Sequence, residues 1–434
     1  MTKQLKTWTT LGLAALGSAT LAQAAKLPVG NPPALNSSLL LTQIDAEGEG
    51  EAGSVKTDEA GEGGEAGESS VSVPSSYELG STDPNAYKYD ARPQIEAYVD
   101  LVHNAYEKAH ADAAAMKTAI DALLASPSDA TLAAARQTWI AARPSFMRTQ
   151  AFRFYDGPVE GKIAHIDAWP VDGAHIDGVE GKPDGGLIND TSFKLTIKTL
   201  EAGNQKPHAD DVTVGWHVIE FLLWGENPTV NRPYTDYIAN QDNNERRRLY
   251  LQLVTDELVH EFDELAEAWE KDEANSYATR FLALPPREAI GRMVNGIAIL
   301  AGHHFKQVQV DAGIDSKNHD VEESRFSQTT RQDFTATFEG LRQVWSGDSE
   351  GATRPGLDDL VFNIDSATAG KVSALFTAAE AKLNAIGDPW KKVLAAPEGS
   401  VELQAAEDLV TALEALSGGL AEVGNKLGVL VLVP

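Results

Sequence analysis

The segment Gly215-Trp216-His217-Val218-Ile219-Glu220-Phe221-Leu222-Leu223-Trp224-Gly225 constrains this chain more than any other. Wound as a helix it is apolar nearly all round, and a helix of that kind has to be buried by its neighbours. His217 and Glu220 are three residues apart and share one face, with Trp224 over the same stripe one turn on. An imidazole and a carboxylate in such a low-dielectric setting must be paired or must bind something.

The surrounding sequence is suited to enclosing that helix. Tyr98, Leu101, Val102, Ala105 and Tyr106 recur with helical spacing in a stretch from Pro93 to Leu124 that lacks glycine. Ser126-Pro127-Ser128 breaks it, with Asp129 a plausible cap for a second helix over about 131–153. Further helical patterns cover about 191–202, 211–225, 242–272, 286–313, 329–346, 366–387 and 400–430. Strand signals are almost absent, so the expected class is all-α, with long helices in antiparallel bundles. A long helix, an Ala/Arg-rich helix and an irregular acidic segment follow one another in 90–190 and again in 242–330. With no fixed short period, this order suggests two related helical-bundle domains, 88–240 carrying the His217 helix and 241–434. The irregular stretch from Tyr155 to Asn189 is too rich in Ile166, Trp169 and Val171 for a plain linker, and long loops inside domains are usually functional.

Residues 1–24 read as a signal peptide: Lys3 and Lys6, a short apolar run from Leu11 to Leu21, then Ala22-Gln23-Ala24. Residues 25–87 form an acidic Gly/Glu-rich spacer expected to be disordered, because self-repelling charge and glycine bury too little apolar surface to offset chain entropy. No later segment has the apolar run that a spanning helix needs. The expected location is therefore the periplasm or cell envelope, with association with the outer membrane left open. With 36 Lys plus Arg against 64 Asp plus Glu, the formal charge of −28 disfavours nucleic acid and anionic membranes as partners. The absence of cysteine excludes disulfides, thiolate zinc sites, iron–sulfur clusters and cysteine nucleophiles.

His217 and Glu220 can supply one nitrogen and one oxygen ligand to Fe, Zn or Cu, which is half a metal site. The competing reading is a His–Glu hydrogen bond that only orders the bundle. Asp167 and Asp172 offer further oxygens or cap turns. Arg153, between Phe152 and Phe154, can clamp an anion or pair with an acid of the loop. Glu322 and Glu323 are oxygen ligands or a solvated turn. His303 and His304 diverge by about 100° on a helix, so at most one reaches the interdomain cleft, and the simpler reading is an ordinary helix histidine. His260-Glu261 begins H-E-x-x-H, but Glu264 stands where the second histidine belongs.

Gly215, His217 and Glu220 form the G-x-H-x-x-E motif of the imelysin-like family, and the chain from about residue 90 onward resembles it. Phe221 to Gly225 and Asn231-Arg232-Pro233-Tyr234-Thr235-Asp236-Tyr237 look like its iron-regulated branch. Thr149-Gln150-Ala151-Phe152-Arg153-Phe154 and Asp167-Ala168-Trp169-Pro170-Val171-Asp172 resemble that branch's T-E-A-F-R-F and N-A-W-P-L-D blocks. The resemblance implies two helical-bundle domains with a site at their interface, in an envelope protein tied to iron or other metal acquisition. It places His217 and Glu220 at the centre, Arg153, Asp167, Trp169 and Asp172 on one side, and Glu322, Glu323, Ser324 and Ser327 on the other. This last block departs from the family's E-E-H-S-C-F-S-D-N-T: Glu323 replaces histidine, Arg325 cysteine and Gln328 aspartate.

Two functions follow as expectations. In the first, the protein binds a metal ion, iron favoured over zinc, or a small metal-bearing ligand. His217, Glu220, Glu322 and Glu323 would hold the metal, and Arg153, Asp167, Trp169, Asp172, Trp224, Ser324 and Ser327 would surround the ligand; envelope transport components would be partners. Only four methionines and no cysteine argue against a soft Cu(I) site. The alternative is a metal-dependent peptidase with Glu220 as ligand or general base, some imelysin-like proteins being classed as metallopeptidases. Binding is the preferred reading, because one histidine without a second at helical spacing falls short of the usual three zinc ligands.

Overall fold

The structure, a computed structural model, describes residues 76–81, 86–227, 230–240, 243–349 and 351–432. The expected signal peptide and most of the expected acidic spacer lie outside the described residues. Within them the protein is all-α. Eight main helices carry the architecture: α1 (Arg92–Ala125), α2 (Asp129–Thr149), α3 (Trp216–Trp224), α4 (Asn244–Ala268), α5 (Pro286–Ile299), α6 (Thr330–Ser346), α7 (Ser366–Asn384) and α8 (Val401–Leu427). Beyond α5 the same rod continues as a π-helical stretch, Leu300–Asp311, and a last turn, Ala312–Ser316.

The Ser-Pro-Ser break ends α1 as expected, but Ser128 rather than Asp129 caps α2. Its Oγ accepts from Thr131 N–H at 3.2 Å while Thr131 Oγ1 accepts from Ser128 N–H at 3.0 Å, a reciprocal box that satisfies two orphan donors. The stripe Tyr98, Val102, Tyr106, Ala109, Ala113, Met116 and Ile120 is buried, and α1 packs along both α2 and α4. α2 also packs on α6, while α8 lies against α5, α7 and the π-helical stretch.

Every residue of α3 is buried. Full burial of each large apolar side chain contributes about 1.5–3 kcal/mol, but its terminal carbonyls then need donors. Tyr237 Oη donates to Leu222 O, and Arg136 donates to Leu223 O from Nε at 3.0 Å and Nη2 at 2.7 Å. Trp224 packs edge-on against Trp139 at 5.4 Å under the Arg136 guanidinium. It belongs to this apolar end of the helix.

The irregular segment before α3 is ordered because α4 reaches into it. Arg246 donates to the carbonyls of Leu187, Ile188, Asp190 and Phe193 at 2.8–3.0 Å. Buried Asp177 receives Arg247 Nε at 2.7 Å and pairs with Arg232 Nη1 at 2.9 Å. Two single helical turns, Ile163–Ile166 and Gly173–Ile176, lie inside the segment. The tail end of the expected spacer is also docked. Tyr77 is buried, Leu79 N–H donates to Gly428 O at 2.9 Å, and Leu430 N–H donates to Tyr77 O at 2.7 Å. Tyr77 and Leu79 supply the apolar surface that the Gly/Glu run lacks.

Ser128→Ala removes one side of the capping box and is expected to cost about 1 kcal/mol. Urea unfolding should show a lower midpoint with an unchanged slope.

Candidate functional site

Gly215 sets the site's geometry. It enters α3 at φ +94° and ψ −172°, a conformation open essentially only to glycine. A Cβ there would sit 2.6 Å from Ile166 O and 2.7 Å from His165 O. Without one, the start of α3 lies flush on the Ile163–Ile166 turn, and the next residue, Asp167, comes within 3.2 Å of His217 Nε2. One helical turn on, Glu220 Oε2 lies 3.0 Å from His217 Nδ1. Both imidazole nitrogens therefore face carboxylates.

A third charged partner enters from α2. Arg143, 1% exposed, bonds Asp167 Oδ1 through Nη1 and brings Nη2 to 3.3 Å from His217 Nε2. The same guanidinium lies 3.6 Å from Glu323 Oε1 and 3.5 Å from Asp333 Oδ1. The network extends both ways. Gln150 donates from Nε2 to Asp167 Oδ2 at 3.0 Å and accepts at Oε1 from Arg153 Nη1 at 2.6 Å. On the far side, Ser327 donates to Glu220 Oε1 from both N–H and Oγ at 2.7 Å.

The electrostatics follow from enclosure. Burial and Arg143 both oppose charge on His217, yet the hydrogen bonds to Asp167 and Glu220 outweigh them and push its pKa up to about 9. The shift favours the imidazolium at neutral pH. Burial likewise opposes charge on Arg143, and Asp167, Asp333 and Glu323 hold it firmly protonated. Burial alone would raise Asp167; Arg143 and His217 keep it below the usual carboxylate range. Burial, with Asp167 nearby, pushes Glu323 up to about 8, and burial pushes Asp333 to about 6 and Glu322 to about 7.

Of the residues expected from sequence, the structure brings His217, Glu220, Asp167, Arg153, Glu323 and Ser327 into one network. Ser324 joins it by donating to Asp333 Oδ2. Trp169 packs beside it, its ring centroid 6.2 Å from His217 and 5.8 Å from His304. Glu322 and Glu323 diverge from an extended backbone: Glu322 turns to Thr330, whose Oγ1 donates to Oε2 at 3.2 Å, while Gln309 donates to Glu323 Oε2 at 2.9 Å. Neither is a solvated turn residue. Asp172 stands apart, capping the Gly173–Ile176 turn through Ala174 N–H at 2.9 Å. On the surface of α4, His260 pairs with Glu264 at 3.4 Å, and the H-E-x-x fragment forms no site.

Sequence reasoning missed Arg143, Asp333, Gln150, Gln309 and His304. A signal existed for two of them. Arg143 lies on the apolar stripe of α2 with Trp139 and Phe146, and Asp333 on that of α6 with Phe334, Thr337 and Leu341. A charged residue at a core position of a helix needs a buried partner. His304, taken as an ordinary helix residue, is buried between Trp169 and Phe154.

The cluster sets two basic groups among five acids. Arg143 and His217 face four carboxylates, Asp167, Glu220, Glu323 and Asp333, with Glu322 close to Glu220. Glu322 Oε1, Glu323 Oε1 and Asp333 Oδ1 are buried with no hydrogen-bond donor among the described residues. Among those residues no three His, Asp or Glu side chains already converge on a point where an ion would sit.

An all-helical protein enclosing a cluster of imidazole, guanidinium and carboxylates is the class defined by fold and site. The imelysin family model matches residues 102–417, and the chain belongs to that family. Iron-regulated protein A of Synechococcus elongatus is 23% identical over 330 residues, 74% of this chain and 82% of that protein. The crystal structure of a candidate iron-regulated protein A precursor from Parabacteroides distasonis superposes with a TM-score of 0.64 at 20% identity, over 80% of this chain and 97% of that one. An imelysin-like protein from Psychrobacter arcticus gives 0.56 at 14% identity, over 80% and 99%.

Two outcomes are expected. Gly215→Ala forces the approach to Ile166 open, with backbone strain of order 1–3 kcal/mol, and the pKa of His217, read by NMR, should fall as Asp167 recedes. For the ion-free protein, His217 is raised to about 9 and Glu323 to about 8 in the fold, so the stability each contributes at low pH is lost as pH rises through those values. Chemical denaturation should show declining stability from pH 6.5 to 9, and Glu323→Gln, an isostere of the protonated acid, should flatten that decline. A pH-independent wild type would contradict the assignment.

Proposed function

We propose that this imelysin family member is an exported cell-envelope protein that captures a metal ion, iron first, or a metal-bearing ligand, at the cluster around His217 and Glu220. The observation that carries the reading is the cluster of buried acids, in which one oxygen each of Glu322, Glu323 and Asp333 lacks a hydrogen-bond donor among the described residues. Hard oxygen donors with one imidazole suit iron or manganese, and zinc less strongly. Glu220, Glu322, Glu323 and Asp333 are the oxygen ligands in this reading; His217 becomes a nitrogen ligand only by releasing its proton and one carboxylate. The iron-regulated naming of the Synechococcus relative supports a role in iron physiology. No helix among the described residues is long and apolar enough to cross a membrane, which fits an exported chain.

The peptidase alternative draws no support from the site. A catalytic zinc needs protein ligands that leave an open position for water, and both nitrogens of His217 are committed to carboxylates.

The test is metal content by mass spectrometry on untagged protein equilibrated with Fe, Mn and Zn. About one equivalent is expected in wild type, with Glu323→Gln and Glu220→Gln each retaining roughly a tenth or less, as for loss of one ligand of a small set. Wild type that retains no metal refutes the reading.

A further inference from the structure

The geometry points to Arg143 as a resident counter-cation that holds the place of the captured ion and must move aside for it; this rests on the cation-capture reading above. Its guanidinium is the hub of the cluster, bonded to Asp167 and flanked by Glu323 at 3.6 Å and Asp333 at 3.5 Å, every one of these side chains 1% exposed. Of these three acid contacts only that with Asp167 is a hydrogen bond. Arg143 Nε, Glu323 Oε1 and Asp333 Oδ1 all lack hydrogen-bond partners, so the guanidinium lies beside the two acids without satisfying these oxygens.

A guanidinium is wide, and it keeps the carboxylates apart. Carboxylate oxygens approach a small divalent cation to about 2.0–2.6 Å, well inside the 3.6 and 3.5 Å that separate Glu323 and Asp333 from the guanidinium. This accounts for acids that carry the right charge yet do not converge. Nη2 also lies 3.3 Å from His217 Nε2, and the remaining contacts of Arg143 are the ring faces of Phe146 at 5.3 Å and Trp216 at 5.8 Å. Ring contacts are only weakly directional, leaving Asp167 and His217 as the main restraints on its position. Arginine keeps its charge at any pH the protein meets. An incoming ion therefore competes with a permanent cation, and multiply charged ions win where monovalent ones do not.

The test is Mn(II) binding to the full chain by equilibrium dialysis, with bound Mn(II) read by electron paramagnetic resonance. Arg143→Gln should bind Mn(II) about tenfold or more tightly than wild type, since it removes the buried cation with which the metal competes. Adding Asp333→Asn should cancel the gain. Arg143→Gln protein with native circular dichroism that binds Mn(II) no better than wild type overturns the inference. If Arg143→Gln does not fold without metal, Mn(II) added during refolding should restore its helical signal, and failure to do so equally overturns it. The two readings separate cleanly. Wild type that binds Mn(II) beside a variant no tighter leaves capture standing without a gate. A variant that binds where wild type does not shows that Arg143 blocks the position and refutes capture by the native chain.

Discussion

His217 sits between Asp167 and Glu220 with a carboxylate at each ring nitrogen, and the surrounding fold exists in a form that keeps it there. Gly215 permits the close approach that supplies Asp167, while α3 is buried on every side so that Glu220 has no water to turn to. Burying an imidazolium is costly unless it is paired, and two carboxylates outweigh that cost. They also bring negative charge, which Arg143 from α2 offsets, while burial raises the pKa of Glu322, Glu323 and Asp333. The chain of causes runs from one glycine to the charge balance of the whole cluster.

Much of this was legible in the sequence, for identifiable physical reasons. The all-α class followed from helical periodicity, and the enclosed His–Glu face followed from α3 being apolar on every side. The Tyr155–Asn189 stretch was correctly read as more than a linker, since it delivers Asp167 and Trp169. Arg143 escaped because an arginine in an Ala/Arg-rich helix looks like a solvated one until its neighbours Trp139 and Phe146 are seen to be buried. Trp224 was misplaced for a related reason: helical spacing gives the stripe but not which neighbour covers each end of it. Tyr77 was absorbed into the spacer because its partner, the segment 428–430, lies at the other end of the chain.

The departures from the family pattern in the 322–328 block now have a structural meaning. Glu323, where the family has histidine, adds a buried acid beside Arg143 in place of an imidazole. Arg325, where the family has cysteine, stacks on Phe326 at 4.0 Å, pairs with Glu226 at 2.9 Å and donates to Val171 O at 3.0 Å. It fastens this block to the Trp169–Asp172 block. Ser327 keeps its two hydrogen bonds to Glu220, so the block reaches the site although its sequence has changed.

The account turns on the protonation of one ring. Long-range proton–nitrogen NMR of histidine-labelled, metal-free protein near pH 7.5 reports it directly. The prediction is that both nitrogens of His217 carry protons, with titration only near pH 9. A neutral ring, with an Nε2 lone pair accepting from Arg143 and a midpoint near the ordinary histidine value of about 6.5, would contradict it.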